Sequence, residues 1–229
     1  MHPDRYSPNV ERRYQAAIAE EGTFLATQMP FACFGSANAF LALIGPSMGG
    51  AAPNDSVQPG GANRPAGNPM RIGYYPHFNW QRARSDRWRR LSTALLGSDR
   101  YVNHLTAVLN LDWGHQSKAT NVRDAYLQPG FSDYVWPAIL QIKPRIVCAL
   151  TNPVWQTIEP TIRQFTVTSP PSVPSRLPIP KQPILFRLPD AGFTSMLLKA
   201  HNHPSQPFLS RKHIHDLGEV CAWFLANAT

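Results

Sequence analysis

Four histidines crowd one stretch, "HNHPSQPFLSRKHIH", as His201, His203, His213 and His215. Imidazole ligates transition metals and exchanges protons near neutral pH, so metal binding and polar catalysis are the two chemistries to weigh. His213 and His215 stand two apart in a helical pattern, which turns them to different faces and argues against a four-histidine metal cluster. His203 lies between an apolar run and a helix start and is followed by Pro204 and Ser205, a place suited to a functional imidazole. Asn110 closes the run "LTAVLNL", where a side-chain amide carries both a donor and an acceptor that burial obliges to find partners. The glycine-containing "GPSMGG" that begins at Gly45 lacks both the GK[ST] ending and the G-x-G-x-x-G spacing of phosphate-cradling loops. In "WQRARSDRWRR" the arginines are interleaved with Trp80 and Trp88. Arg82 and Arg89, seven residues apart, share one helical face from which they could track phosphates.

These residues need elements to hold them. Four apolar runs, 39–44, 105–111, 145–150 and 195–201, have the length and boundaries of strands. Helical patterns separate them. Trp88, Leu91 and Leu95 form a one-sided stripe. In "TNPVWQTI", Asn152 is the expected N-cap and Pro153 the first helical residue, with Trp155, Ile158 and Ile162 inward and a kink expected at Pro160. Ile214, Leu217, Val220, Cys221, Phe224 and Leu225 line a last helix capped by Ser210, and a further helical pattern covers 9–21. The alternation predicts a three-layer α/β/α domain with a short, mainly parallel four-stranded sheet. In such sheets ligands bind outside the carboxyl ends of the strands, where "GPSMGG", "LNLDWGH", "LTNPVW" and "HNHPSQP" fall.

Composition limits the setting. The chain has 229 residues, enough for one domain with a substantial core, and the expected unit is 1–229 with two Pro/Gly/Ser-rich excursions at 49–69 and 168–183. Twenty-two basic against 14 acidic residues give a net charge of +8, which favours a polyanionic partner. Cys33, Cys148 and Cys221 are odd in number and set among apolar neighbours, the pattern of buried thiols in a reducing, cytoplasmic compartment. The apolar stretch 31–44 is placed too far in for a signal peptide and is too interrupted for a membrane span. No membrane partner is expected.

The order of the strand-end segments resembles the uracil-DNA glycosylase superfamily. "LALIGPSMGG" stands where that superfamily has its first motif, "AVLNLDWG" where it has a base-pairing asparagine, and "LLKAHNHPSQPFLS" where it has an HPS motif before the terminal helix. "RIVCALTNPVWQTI" resembles the strand and helix between them, so the likeness spans about half the chain. The resemblance implies a metal-independent monomer, without cofactor, that excises uracil or a related damaged base from single- or double-stranded DNA in base excision repair. It implies that Gly45 to Gly49 approach the deoxyribose, with Ser47 at the water-orienting place, and that Asn110 reads the edge of a flipped base. His203 would stabilise negative charge developing on the base O2, and Phe78, Tyr74 and Tyr75 are candidates to stack on the base. Phe208 or Leu209 would wedge into the duplex, while Ser205 and the turn at Ser210 would hold a phosphate. Ser47 and Met48 occupy places where active relatives commonly carry Asp or Asn, which motivates the alternative of a noncatalytic nucleic-acid-binding member. The segment also resembles the zinc motif of JAB/MPN-type metalloproteases, with His201 and His203 as ligands, but the expected aspartate falls near His213 and few residues remain to complete that fold.

Overall fold

The computed structural model describes residues 33–34, 38–49, 83–99, 102–116, 124–168, 179–202, 204 and 209–227. The helix expected over 9–21 and most of the two Pro/Gly-rich excursions lie outside them. The strands are β1 (Cys33–Phe34), β2 (Leu41–Gly49), β3 (Thr106–Gln116), β4 (Ile146–Ala149), β5 (Ile184–Phe186) and β6 (Ser195–Lys199). The helices are α1 (Ala83–Leu96), α2 (Val102–Leu105), α3 (Asp124–Gly130), α4 (Trp136–Ile142), α5 (Asn152–Arg163) and α6 (Arg211–Asn227), with a π-helical segment, Phe131–Val135, joining α3 to α4.

The sheet has six strands in the order β1-β3-β2-β4-β6-β5. Its four central strands are the four runs expected to form strands, and they are mutually parallel. The expected count of four is corrected by β1 and β5, which add to the two edges antiparallel. Two and three residues are too short to show a period of two, and "ILF" follows a proline-rich stretch, so the edge pairing rather than local pattern makes these strands.

Both faces of the sheet are covered. Ala42, Ile44, Ala107, Leu109, Leu111, Val147, Ala149 and Leu197 belong to one core with residues of α3, α4 and α5. The alternate residues Leu41, Leu43, Val108, Ile146, Cys148, Met196 and Leu198 belong to the other, with α1 and α6. Two-sided burial is why these strands read as unbroken apolar runs. At about 25 cal/mol per Å² of apolar area, each fully buried Leu, Ile or Phe stabilises the fold by roughly 1.5–3 kcal/mol.

Two glycines set how closely the layers approach. A Cβ on Gly130 would lie 1.6 Å from the carbonyl oxygen of Leu111, so the end of α3 rests directly on the β3 backbone. Pro129 precedes it inside the helix, and the widened π turn follows at once. Proline removes a helical donor, and a π turn is one way a helix accommodates such a break. Gly218 of α6 faces α1, where an added Cβ would lie 3.1 Å from the Ala94 carbonyl oxygen.

The helix boundaries differ in detail from expectation. Thr151, not Asn152, is the N-cap of α5, with φ −140° and ψ 168°; Asn152 already belongs to the helix. Trp155, Ile158 and Ile162 are buried as their spacing requires, and the helix continues through Pro160 to Arg163. At α6 the Ser210 cap holds: the His213 N–H donates to Ser210 Oγ at 3.2 Å. Among the described residues no helix is long and apolar enough to cross a membrane.

Candidate functional site

The parallel strands do not end level. Ile44 of β2 pairs with Ala149 of β4, and Ala149 pairs with Lys199 of β6; there β4 and β6 stop. One residue on, Leu150 N–H still donates to Ile44 O and Ala200 N–H to Ala149 O, both at 2.9 Å. β2 and β3 run further together, from Gly45 opposite Asn110 to Gly49 opposite Gln116, with a register shift between Ser47 and Met48. The segment expected to be a loop after Ile44 is therefore hydrogen-bonded strand. Its pairing partner is the segment after Asn110, which no local pattern reveals. The result is a step in which a two-stranded ribbon projects past the ends of β4 and β6.

This step coincides with the switch point of the sheet. The connection from β2 leads to α1 on one face and to β3 on one side, whereas β4 leads into α5 on the opposite face and on towards β6 on the other side. Divergent connections leave a crevice between the strand ends, the usual ligand position of open α/β sheets.

The register brings Gly45 and Asn110 together at the foot of the ribbon. Asn110 is 4% exposed. Alternation from Val108, which packs with α1 and α6, puts Asn110 on that side of the sheet. A buried side-chain amide carries a donor and an acceptor that both need partners.

Sequence reasoning missed two further groups at the step. Thr151 Oγ1 is buried without a hydrogen-bond partner and makes no capping bond to α5. Lys199, only 7% exposed, ends β6 with its Nζ donating to the Ala200 carbonyl at 3.2 Å. Burial holds its pKa below the ordinary lysine value, and the nearby Lys181 adds to the shift while Cys148 opposes it. A charged residue at the end of the apolar run "SMLLKA" was the available signal.

Two residues beyond Lys199 in the chain, the imidazole of His201 stacks on that of His213 with ring centroids 3.9 Å apart and planes 6° from parallel. His213 Nδ1 is buried and has no hydrogen-bond partner. His215 is exposed, so His213 and His215 face apart as their spacing implies. Among the described residues no group of three or more His, Cys, Asp or Glu could hold a metal ion.

The other expected site residues are placed as follows. Ser47 lies within β2 opposite Asp112. Leu209 is 6% exposed and packs into the core shared with α1 and α6, so it is a core residue rather than a projecting wedge. Ser210 is exposed at the start of α6. Arg89 is exposed on α1 and pairs with Asp99 at 3.4 Å. His203, Ser205, Phe208, Phe78, Tyr74, Tyr75 and Arg82 lie outside the described residues. Comparison with protein-family models gives no match, and comparison with curated proteins gives none either.

Proposed function

We propose that this protein is a DNA glycosylase of the uracil-DNA glycosylase type, a monomer that hydrolyses the N-glycosidic bond of uracil or a related damaged base flipped out of DNA. The observation that carries the reading is Asn110, a side-chain amide buried beside Gly45 at the foot of the projecting ribbon. An amide in that position suits a base edge, which offers an acceptor and a donor side by side. Gly45 leaves room for a sugar or base to approach the backbone. The net charge of +8 supplies the attraction to a polyanion.

In this reading Asn110 binds the base, His203 stabilises the negative charge that grows on the departing base, and the segment through Ser47 orients the attacking water. Phe78 stacks on the base, Phe208 fills the space it leaves, and Ser205, Ser210, Arg82 and Arg89 contact phosphates. The test is single-turnover release of uracil from labelled single- and double-stranded DNA with a chelator present. We expect release that falls about 100-fold or more in Asn110→Ala and in His203→Ala. Wild-type release that neither substitution lowers would refute the assignment. A second reading, a noncatalytic DNA-binding protein of the same type, is motivated by Ser47 and Met48 where a carboxylate or amide commonly stands. It requires salt-sensitive DNA binding with no base released at any enzyme concentration.

A further inference from the structure

Lys199 is unusual in three respects that bear on reactivity. It is 7% exposed. Among the described residues no carboxylate pairs with it, and its side-chain amine donates to the carbonyl of the next residue in the chain. It also stands at the carboxyl end of a parallel strand, beside the switch-point step. A lysine kept only as a structural cation would ordinarily be paired or would reach water with its head group. A desolvated lysine without a counter-ion is instead biased towards the neutral amine, the form that attacks carbonyl carbon.

The neighbouring strand supplies a second group. Ala149 is opposite Lys199, so Thr151 lies one strand across and two residues further towards the crevice. From strand spacing and rise this separates the two Cα atoms by about 8 Å, within reach of a lysine side chain. Thr151 Oγ1 is buried and unpartnered. A hydroxyl there can donate to a carbonyl oxygen or to the hydroxyl that leaves it. Pro153 removes one of the amides at the start of α5, which makes the place poorer for holding an anion by helix amides alone.

We propose that Lys199 is an amine nucleophile that forms a Schiff base with an aldehyde held at the step, with Thr151 positioned to hydrogen-bond the oxygen. Resting on the glycosylase reading, the aldehyde is the open-chain C1′ of the deoxyribose left when a base has been removed. The Lys199 nitrogen lone pair forms a bond to C1′ as the carbonyl π pair moves to oxygen, which takes a proton. The resulting carbinolamine loses that oxygen as water, together with a proton from nitrogen, and leaves a C=N bond. No oxidant or reductant enters the step.

The experiment uses the full chain and an oligonucleotide in which the abasic site is made beforehand, with sodium borohydride to reduce the imine to a stable amine. Peptide mapping by mass spectrometry locates the adduct. The expected result is a covalent DNA adduct on Lys199, lowered at least 10-fold in Lys199→Arg, whose guanidinium does not form the imine. Lys199→Met serves as a second variant, and thermal melting checks that each is folded. An adduct confined to other amines, or no adduct, overturns the inference, and so does an unchanged adduct in both folded variants. Because abasic DNA bypasses base excision, uracil release measured in parallel separates the two failures. Release without trapping sinks only the Lys199 step, whereas trapping at Lys199 without release sinks the glycosylase reading and leaves an abasic-site binder.

Discussion

Asn110, Thr151 and Lys199 show that position in the sheet decides what a polar residue means. Each would be costly if simply buried in a core, since an unpaired polar group loses hydration worth about 1–3 kcal/mol. All three stand at the ends of parallel strands, Asn110 by alternation on the α1 and α6 side of the sheet, Thr151 and Lys199 on the side of α3, α4 and α5. Cys148 and Cys221 are the opposite case. They are buried among apolar side chains, and burial raises both thiol pKa values, that of Cys148 to about 12. Inert packing groups fit these thiols better than nucleophiles do. The raised value has a consequence for stability. Between pH 9 and about 12 the unfolded chain loses the Cys148 proton while the folded chain keeps it, so stability falls as pH rises, by up to about 1.4 kcal/mol per pH unit. Lys199 acts in the other direction, because its lowered pKa makes the folded state lose its proton first. Urea unfolding at several alkaline pH values should therefore show a shallower decline in Cys148→Ala than in the wild type; equal slopes would show that Cys148 does not contribute.

Among the elements, the pairing of β2 with β3 and the seating of α3 on β3 matter most to the site. Gly130 lets α3 touch the strand backbone just past Asn110, at Leu111. A methyl group there meets backbone, not a flexible side-chain end, so Gly130→Ala should destabilise the fold by about 3 kcal/mol or more by forcing the helix outward. Equilibrium denaturation measures this directly, and a loss within about 0.5 kcal/mol would mean that α3 is free to shift. Gly218 is a milder contact, and its neighbour at 3.1 Å needs to yield only slightly. The sequence identified the four central strands, the inward faces of α5 and α6, and the Ser210 cap, because apolar periodicity and capping chemistry are local. It was silent on β1 and β5. A strand of two or three residues exists only through the neighbour it pairs with.

For the whole molecule, a net charge of +8 would make the proposed association with DNA a counterion-release process. The logarithm of the affinity should fall linearly with the logarithm of salt concentration, with a slope of about −0.9 per phosphate neutralised. Arg89 is already partly compensated by Asp99, so Arg89→Ala should change that slope by less than about 1 unit. Fluorescence anisotropy of a labelled oligonucleotide across a salt series gives both numbers. A slope near zero would remove nucleic acid as the partner. By itself the sequence determined the α/β class, the order of the four parallel strands along the chain, the basic charge and the prominence of Asn110, since these follow from composition and from patterns of two to four residues. Tertiary structure alone decided that β2 and β3 outrun β4 and β6 and that Gly45 faces Asn110. It also decided that Thr151 and Lys199 share the step and that Leu209 is core. Each of those facts depends on register between strands far apart in the chain, and register is set by packing across the sheet.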